Sequence, residues 1–294
     1  MKAVKAIYIS KTGNCIKKNI CYNNEKRLEL SEKNREQEER GMEIAAQLYT
    51  VRAKTQTEAD IAETLRKVKE IGYDWVQISG FGKCSPEFLR DEMEKNGLRA
   101  CVTHTPLERI ADDTEKVITE HKMLGIPYVG LGYYAAKTTE EAKGFLKRII
   151  PAAKKLHDSG LQFVYHNHFM EFARMENGQR VLDYYIEQTT PEEFSLLPDI
   201  YWLQFAGLSP EKFMKEYADR IQVIHLKDMK IDGESGERRF AEIYNGNMDY
   251  DSILKTAEQT GVRFAAVEQD ECYGTDPFES LRISRKNIRE RYGI

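Results

Sequence analysis

The sequence predicts an α/β protein built as a single (β/α)8 TIM barrel over residues 42–294, preceded by a short extension over residues 1–41. Three observations carry that prediction. Short apolar, β-branched runs recur eight times after Met42, amphipathic helical patterns with readable caps lie between them, and the repeat is close to the ~30 residues one βα unit occupies. A doubly wound sheet is the rival. No GxGxxG follows the first run and P-loop spacing is absent, so the usual signals of a nucleotide-binding sheet are missing.

The extension comes first in the chain. Residues 1–41 hold ten Lys/Arg and six Glu, a net of +4, which leaves 34 basic and 42 acidic residues over 42–294, a net of −8. Rich in Lys, Asn, Glu and Gln and poor in core residues, it reads as a disordered or weakly helical appendage, or as the product of a start codon placed too early. Its interleaved signs, as in NEKRLELSEKNREQEER, favour a solvated helix or coil over a nucleic-acid-binding arm.

The eight strand candidates then follow in order: 42–50, 74–80, 98–105, 128–134, 161–168, 199–205, 221–227 and 264–270. Among the helices between them, ADIAETLRKVKEIG places Ile61, Leu65, Val68 and Ile71 on one face and stops at Gly72. Ser85-Pro86, Ser209-Pro210 and Asp276-Pro277 each set a capping side chain before a proline at the first helical position. Gly97, Gly125, Gly160 and Gly261 stand where a left-handed residue ends a helix. Thr138 and Glu141 form a capping box for a helix in which Pro151 is expected to introduce a kink.

Composition narrows the class further. Charged residues make up 31% of the chain, mean hydropathy is −0.61, and no run approaches the ~20 apolar residues of a membrane span. The first residues lack the apolar core of a signal peptide, so a cytoplasmic protein with no membrane partner is expected. Cys15, Cys21, Cys84, Cys101 and Cys272 form no CxxC pair and read as reduced, unpaired thiols.

In such barrels the chemistry gathers where the strands end at the C-terminal face. Four of the six histidines, His104, His166, His168 and His225, fall at or near predicted strand ends, whereas His121 and His157 sit in helical patterns and read as surface residues. Alternation puts His166 and His168 on one face of strand five, His225 and Lys227 on one face of strand seven, and Glu268 beside small Ala266 on strand eight. Asp199 opens the expected strand six. Buried carboxylates and imidazoles without partners would cost several kcal/mol, so these groups neutralise one another or bind something. Carboxylate plus imidazole without thiolate suits Mn²⁺, Zn²⁺, Co²⁺ or Fe²⁺ better than calcium. Ordinary hydrogen bonding at a barrel rim is the alternative reading of each residue alone.

HNHFMEF at 166–172, DIYWLQFAGLSP at 199–210, IHLKDM at 224–229 and VEQDE at 267–271 resemble the xylose isomerase-like barrel superfamily. Within it they are most similar to bacterial proteins described as sugar phosphate isomerase/epimerase, as are AAQLYTVR at 45–52 and DPFESLRISRKNIRERYG at 276–293. The resemblance implies one divalent metal, Mn²⁺, Mg²⁺, Zn²⁺ or Co²⁺, held by Asp199, His225 and Glu268. The family's strand-five glutamate falls on His166, where this sequence departs from the pattern, so that His166 stands as the fourth ligand. It implies a sugar or keto-sugar isomerase or epimerase in which Glu171, His168, Lys227 or Glu268 moves protons beside a metal-polarised carbonyl. Gln47, Tyr49, His104 and Trp202 are the candidates for sugar contact. Lysis of a 3-keto-glycoside or dehydration of a sugar acid shares the same first step, and a non-catalytic sugar-binding barrel is the further alternative. A repair nuclease of this barrel type is disfavoured by the acidic balance of 42–294. A small-molecule sugar is therefore the expected partner, nucleic acid is not, and barrels of this type often pair as homo-oligomers.

Overall fold

The computed structural model describes residues 41–134 and 136–294. The extension expected over 1–41, with Cys15 and Cys21, lies outside the described residues except for Gly41. In chain order the strands are β1 (Glu43–Gln47), β2 (Trp75–Ile78), β3 (Arg99–His104), β4 (Tyr128–Leu131), β5 (Gln162–His166), β6 (Ser195–Leu197), β7 (Val223–Leu226), β8 (Asp228–Ile231), β9 (Arg238–Ala241) and β10 (Phe264–Val267). All but β8 and β9 form one eight-stranded sheet in the order β6-β5-β4-β3-β2-β1-β10-β7, and β8 and β9 pair antiparallel as a separate excursion. The remaining seam, between β6 and β7, is bridged in parallel by Leu196 with Ile221 and Asp199 with His225, and His225 N–H donates to Pro198 O at 2.9 Å. The eight staves thus come round almost to a closed barrel, as expected.

The helices are α1 (Glu58–Ile71), α2 (Pro86–Asn96), α3 (Leu107–Asp112), α4 (Thr114–Leu124), α5 (Thr139–Asp158), α6 (Val181–Glu187), α7 (Ile200–Phe205), α8 (Pro210–Glu216), α9 (Tyr250–Gln259) and α10 (Pro277–Arg291). Their ends follow the capping chemistry written in the sequence. Thr57 caps α1 by accepting the Asp60 N–H at 3.2 Å, and Gly72 closes it with φ 105°. Ser85, Ser209 and Asp276 cap α2, α8 and α10, each followed by its proline. Thr138 Oγ1 accepts the Glu141 N–H at 3.2 Å, while the Glu141 carboxylate reaches back to the Lys137 N–H at 2.6 Å. Pro151 lies inside α5 and does not end it; it forfeits one backbone bond there.

Two expectations are corrected. The run 199–205, read as strand six, is α7; the stave is the shorter Ser195–Leu197. IYWLQF is apolar nearly throughout, a pattern that suits a buried helix as well as a buried strand. The Asp199 carboxylate decides between them by accepting the Trp202 N–H at 3.1 Å as a helix cap. His121, read as a surface residue, is buried on α4, with Nε2 2.9 Å from Thr103 Oγ1 and Nδ1 2.8 Å from Val117 O. His157 is exposed as expected, and Cys84, Cys101 and Cys272 are free thiols.

The barrel lumen is filled by Ala45, Cys101, Val102, Tyr128, Val164, Leu197, Val223, Phe264 and Ala266. A second, larger apolar layer packs the staves against the helices, with Ile61, Leu65 and Val68 from α1 and Phe145 and Ile149 from α5 among its members. Each such side chain contributes roughly 1.5–3 kcal/mol on burial, which holds the strand ends in a fixed ring. Among the described residues no helix is long and apolar enough to cross a membrane.

Candidate functional site

Closure of the barrel brings four strand-end side chains together. His166 ends β5, Asp199 follows β6, His225 lies in β7 and Glu268 follows β10; one donor atom from each lies within 4.8 Å of the others, and all four residues are buried. His225 Nδ1 stands 2.9 Å from Glu268 Oε2 and 3.8 Å from Asp199 Oδ2, and His166 Nε2 stands 3.4 Å from the same Asp199 oxygen. His225 Nδ1 and Glu268 Oε2 are nevertheless without a hydrogen-bond partner, because the contact between them is close but misaligned. The pair has the spacing of two ligands that face a shared centre.

The other ring nitrogens explain why the lone pairs point inward. Nδ1 of His166 bonds the Gly132 carbonyl at 3.1 Å, and Nε2 of His225 bonds Gln77 Oε1 at 2.7 Å. Each acceptor binds the N–H tautomer on its own side, which leaves Nε2 of His166 and Nδ1 of His225 as lone-pair donors toward the carboxylates. Outer partners of this kind orient metal-binding imidazoles. The donor set of two imidazoles and two carboxylates, with unpaired buried atoms at its centre, could hold a divalent metal.

Burial shapes the electrostatics. It holds the His104 imidazole well below its usual range, with help from His166, and holds His166 down together with His225. It also takes His168 down to about 3. Burial alone would raise Asp199 and Glu268, yet the Lys227 ammonium and the adjacent imidazoles hold both well below the carboxylate range. Burial would also lower His225, but Glu268 and Asp199 draw it above its usual value. The same two oxygens that would draw a proton there would draw a metal cation.

Above the cluster opens a cavity of about 710 Å³, lined by residues that include Tyr49, His104, His166, His168, Trp202, Lys227, Glu268 and Asp270. Of the residues picked out for sugar contact, Tyr49, His104 and Trp202 therefore reach the cavity. His104 Nε2 and Trp202 Nε1 have no partner, and His104 Nδ1 stands 3.2 Å from Ser79 Oγ. Gln47 does not line the cavity; it is fully buried, where its Oε1 accepts the Tyr49 N–H at 3.1 Å and its Nε2 has no partner. Among the proton carriers, His168 lines the cavity with Nδ1 unpartnered. Glu171 does not reach it: one carboxylate oxygen accepts from Tyr165 OH at 2.8 Å and the other from His168 N–H at 2.9 Å. Both oxygens are engaged, so Glu171 holds the turn after β5 in place.

Three neighbours were not singled out from the sequence. Asp270 bonds the Lys227 ammonium, Gln77 orients His225, and Arg52 donates to the Asp270 carbonyl at 3.1 Å. Extending the two-residue alternation of Ala266 and Glu268 by one step reaches Asp270. No local signal marks Gln77 or Arg52.

The model of the Xylose isomerase-like TIM barrel family matches residues 65–277, most of the chain. The chain belongs to that family. It is 28% identical over 176 residues to Inosose dehydratase 2 of Bacillus cereus, covering 53% of this chain and 57% of that enzyme. The chain thus spans little more than half the length of that relative. Among solved structures it is similar to a sugar phosphate isomerase/epimerase of Parabacteroides distasonis, with a TM-score of 0.72 at 22% identity over 85% of this chain and 94% of that one. It is also similar to a barrel of this family from Mycobacterium smegmatis solved in complex with magnesium, with a TM-score of 0.66 at 16% identity over 86% and 97% of the two chains. At these identities the structural likenesses speak for the fold.

Proposed function

We propose that the protein is a divalent-metal-dependent enzyme that removes a carbon-bound proton next to the carbonyl of a keto-sugar or cyclic keto-polyol. The observation that carries this reading is the convergence of His166, Asp199, His225 and Glu268 within 4.8 Å at the floor of a cavity of about 710 Å³, with the lone pairs of both imidazoles directed by outer partners. The magnesium found in the Mycobacterium smegmatis barrel supports a divalent ion there, and two imidazoles with two carboxylates suit Mn²⁺, Zn²⁺ or Co²⁺ better than Mg²⁺. A divalent ion bound by these four residues would polarise the substrate carbonyl and stabilise the negative charge that develops as the proton leaves.

The protein's own groups supply the proton traffic. His168 lines the cavity with an unpartnered Nδ1 and is the group placed there to accept the proton. Asp270 enters from β10, a stave that does not adjoin β5, and burial raises its carboxyl to about 6, where it can return a proton to a leaving hydroxyl. The Lys227 ammonium stands between Asp270 and the metal-binding carboxylates and is held charged, which suits it to charge balance. Trp202 and Tyr49 line the cavity as aromatic surface for the apolar side of a sugar.

Elimination of water is the outcome this arrangement favours. The strand-five position that carries a glutamate in the family's epimerases is His166, so the symmetric pair of carboxylate bases is missing, and the similarity to an inosose dehydratase points the same way. Isomerisation or epimerisation is the second reading, supported by the likeness to the Parabacteroides distasonis protein. The test is turnover of a panel of inososes, keto-sugars and 3-keto-glycosides in D₂O, before and after chelation, with products read by mass spectrometry and NMR. Loss of one water supports dehydration, whereas an isomer of unchanged composition carrying deuterium at the carbon supports isomerisation. Asp199→Ala and His225→Ala are expected to lose metal and turnover while folded; full metal content in both rejects the assignment.

A further inference from the structure

Lys227 is the largest charged side chain buried at the site, only 1% exposed, and its ammonium touches three carboxylates. Nζ stands 3.0 Å from Asp199 Oδ2 and 2.9 Å from Glu268 Oε2, the same oxygens that form the donor cluster. These two contacts are close but not aligned as hydrogen bonds; Glu268 Oε2 is without a hydrogen-bond partner. The aligned hydrogen bonds of the ammonium go to Asp270, at 3.0 and 3.2 Å. Asp270 is not a member of the donor cluster. The ammonium is therefore anchored at one carboxylate and leans on two others.

We propose that Lys227 is a resident counter-cation of the metal-binding carboxylates and that Asp270 is the seat that keeps its ammonium beside the metal position instead of in it. The proposal rests on the metal reading above; it gives Lys227 a role other than proton transfer and gives Asp270 a second role beside the one proposed there. Two anionic carboxylates buried without compensation would cost several kcal/mol, so a fixed positive charge is needed whenever the metal is away. A cation that close also repels an incoming divalent ion and competes for its oxygens, since unit charges about 4 Å apart still interact strongly at the effective dielectric of a protein site. Asp270 resolves the conflict by offering the ammonium a carboxylate that the metal does not use. Lys227 then keeps the metal-free site folded and leaves the ion exchangeable, and Asp270 is a positioning residue that acts through Lys227.

The two variants are predicted to move metal affinity in opposite directions. Lys227→Met removes the competing charge; Mn²⁺ should bind at least ~10-fold tighter, while the metal-free protein melts at lower temperature. Asp270→Asn frees the ammonium to settle on Asp199 and Glu268, and Mn²⁺ should bind about 10-fold more weakly. In the double variant the effect of Asp270→Asn should vanish, because its agent is gone. The experiment is isothermal titration of the chelator-stripped full chain with Mn²⁺, together with melting of the stripped protein. Unchanged or weaker Mn²⁺ binding in Lys227→Met, or a loss in Asp270→Asn that persists without Lys227, overturns the proposal and leaves the metal site standing. Should Lys227→Met not fold, an unchanged Mn²⁺ affinity in Asp270→Asn overturns it alone. No Mn²⁺ binding by the unaltered protein overturns the metal reading and this proposal together.

Discussion

Replacing Gln77 by Leu tests the orientation of the site from the outside. Gln77 touches no proposed substrate; its Oε1 stands 2.7 Å from His225 Nε2, and both residues are fully buried. Leu keeps most of the volume and removes the acceptor. The Nε2–H is then left buried without a partner, which costs about 1–3 kcal/mol. His225 can escape part of that cost by moving the proton to Nδ1, which withdraws the lone pair aimed at Asp199 and Glu268. Loss of such an outer partner weakens metal affinity typically by about 10–100-fold, equivalent to roughly 1.4–2.8 kcal/mol. The assay is titration of stripped protein with Mn²⁺, with melting temperature measured alongside; for a domain of this size each kcal/mol corresponds to about 2–4 °C. Gln77→Glu restores an acceptor of greater basicity and should bind Mn²⁺ at least as tightly as the unaltered protein. Unchanged Mn²⁺ affinity in Gln77→Leu, with the melting temperature lowered, refutes the reasoning: the bond to Gln77 would then hold the fold and not the ligand atom.

Two further predictions concern the scaffold. Gly246→Ala should destabilise the protein by about 1–3 kcal/mol or more, because a Cβ there would lie 2.3 Å from Asp228 Oδ1 and 2.5 Å from Met229 O. Asp228 cannot simply turn away, since it accepts the N–H groups of Met229, Gly246 and Met248 at 2.7, 2.9 and 3.3 Å; thermal melting reads the effect. His121 is held below the usual imidazole range by burial, so the folded protein binds fewer protons there than the unfolded chain. Its depressed pKa makes stability fall as pH drops through about 6.5, the unfolded value, by at most about 1.4 kcal/mol per pH unit from this one group. His121→Gln should flatten the slope of unfolding free energy between pH 6.5 and 5 relative to the unaltered protein. An unaltered slope shows that His121 does not carry this term.

Much of the site could be read from the chain because a parallel barrel gathers strand C-termini at one face, whatever the sequence between them. Polar residues at the ends of apolar runs are then neighbours in space, and His166, His225 and Glu268 were found by that rule alone. The caps at Ser85, Thr138, Ser209 and Asp276 were equally accessible, since a cap and its N–H partner lie within three residues of each other. Asp199 is legible as a ligand from the sequence, but its element is not: it caps α7 and does not lie in a stave. Its run of apolar neighbours satisfies either period, and the choice was made by a hydrogen bond to Trp202 that apolar patterning does not register.

Local period and residue type by themselves determined the staves, the helix ends and the chemical class of the donor set. The path of the chain between staves decided the rest. Gln77 lies 148 residues from His225, and Gly132 lies 34 from His166, so which nitrogen of each ring faces inward depends on contacts made only after the barrel closes. Glu171 shows the converse: three residues from His168 it was a natural proton carrier, yet the turn after β5 folds its carboxylate back onto Tyr165 OH. Lys227 and Asp270 are separated by 43 residues; the barrel order makes β7 and β10 neighbours, but only the packed structure sets the Lys227 ammonium 3.0 Å from the Asp270 carboxylate. Periodicity acts between near neighbours in the chain, whereas charge balance and tautomer are set by groups that come within a few ångströms only when distant segments pack.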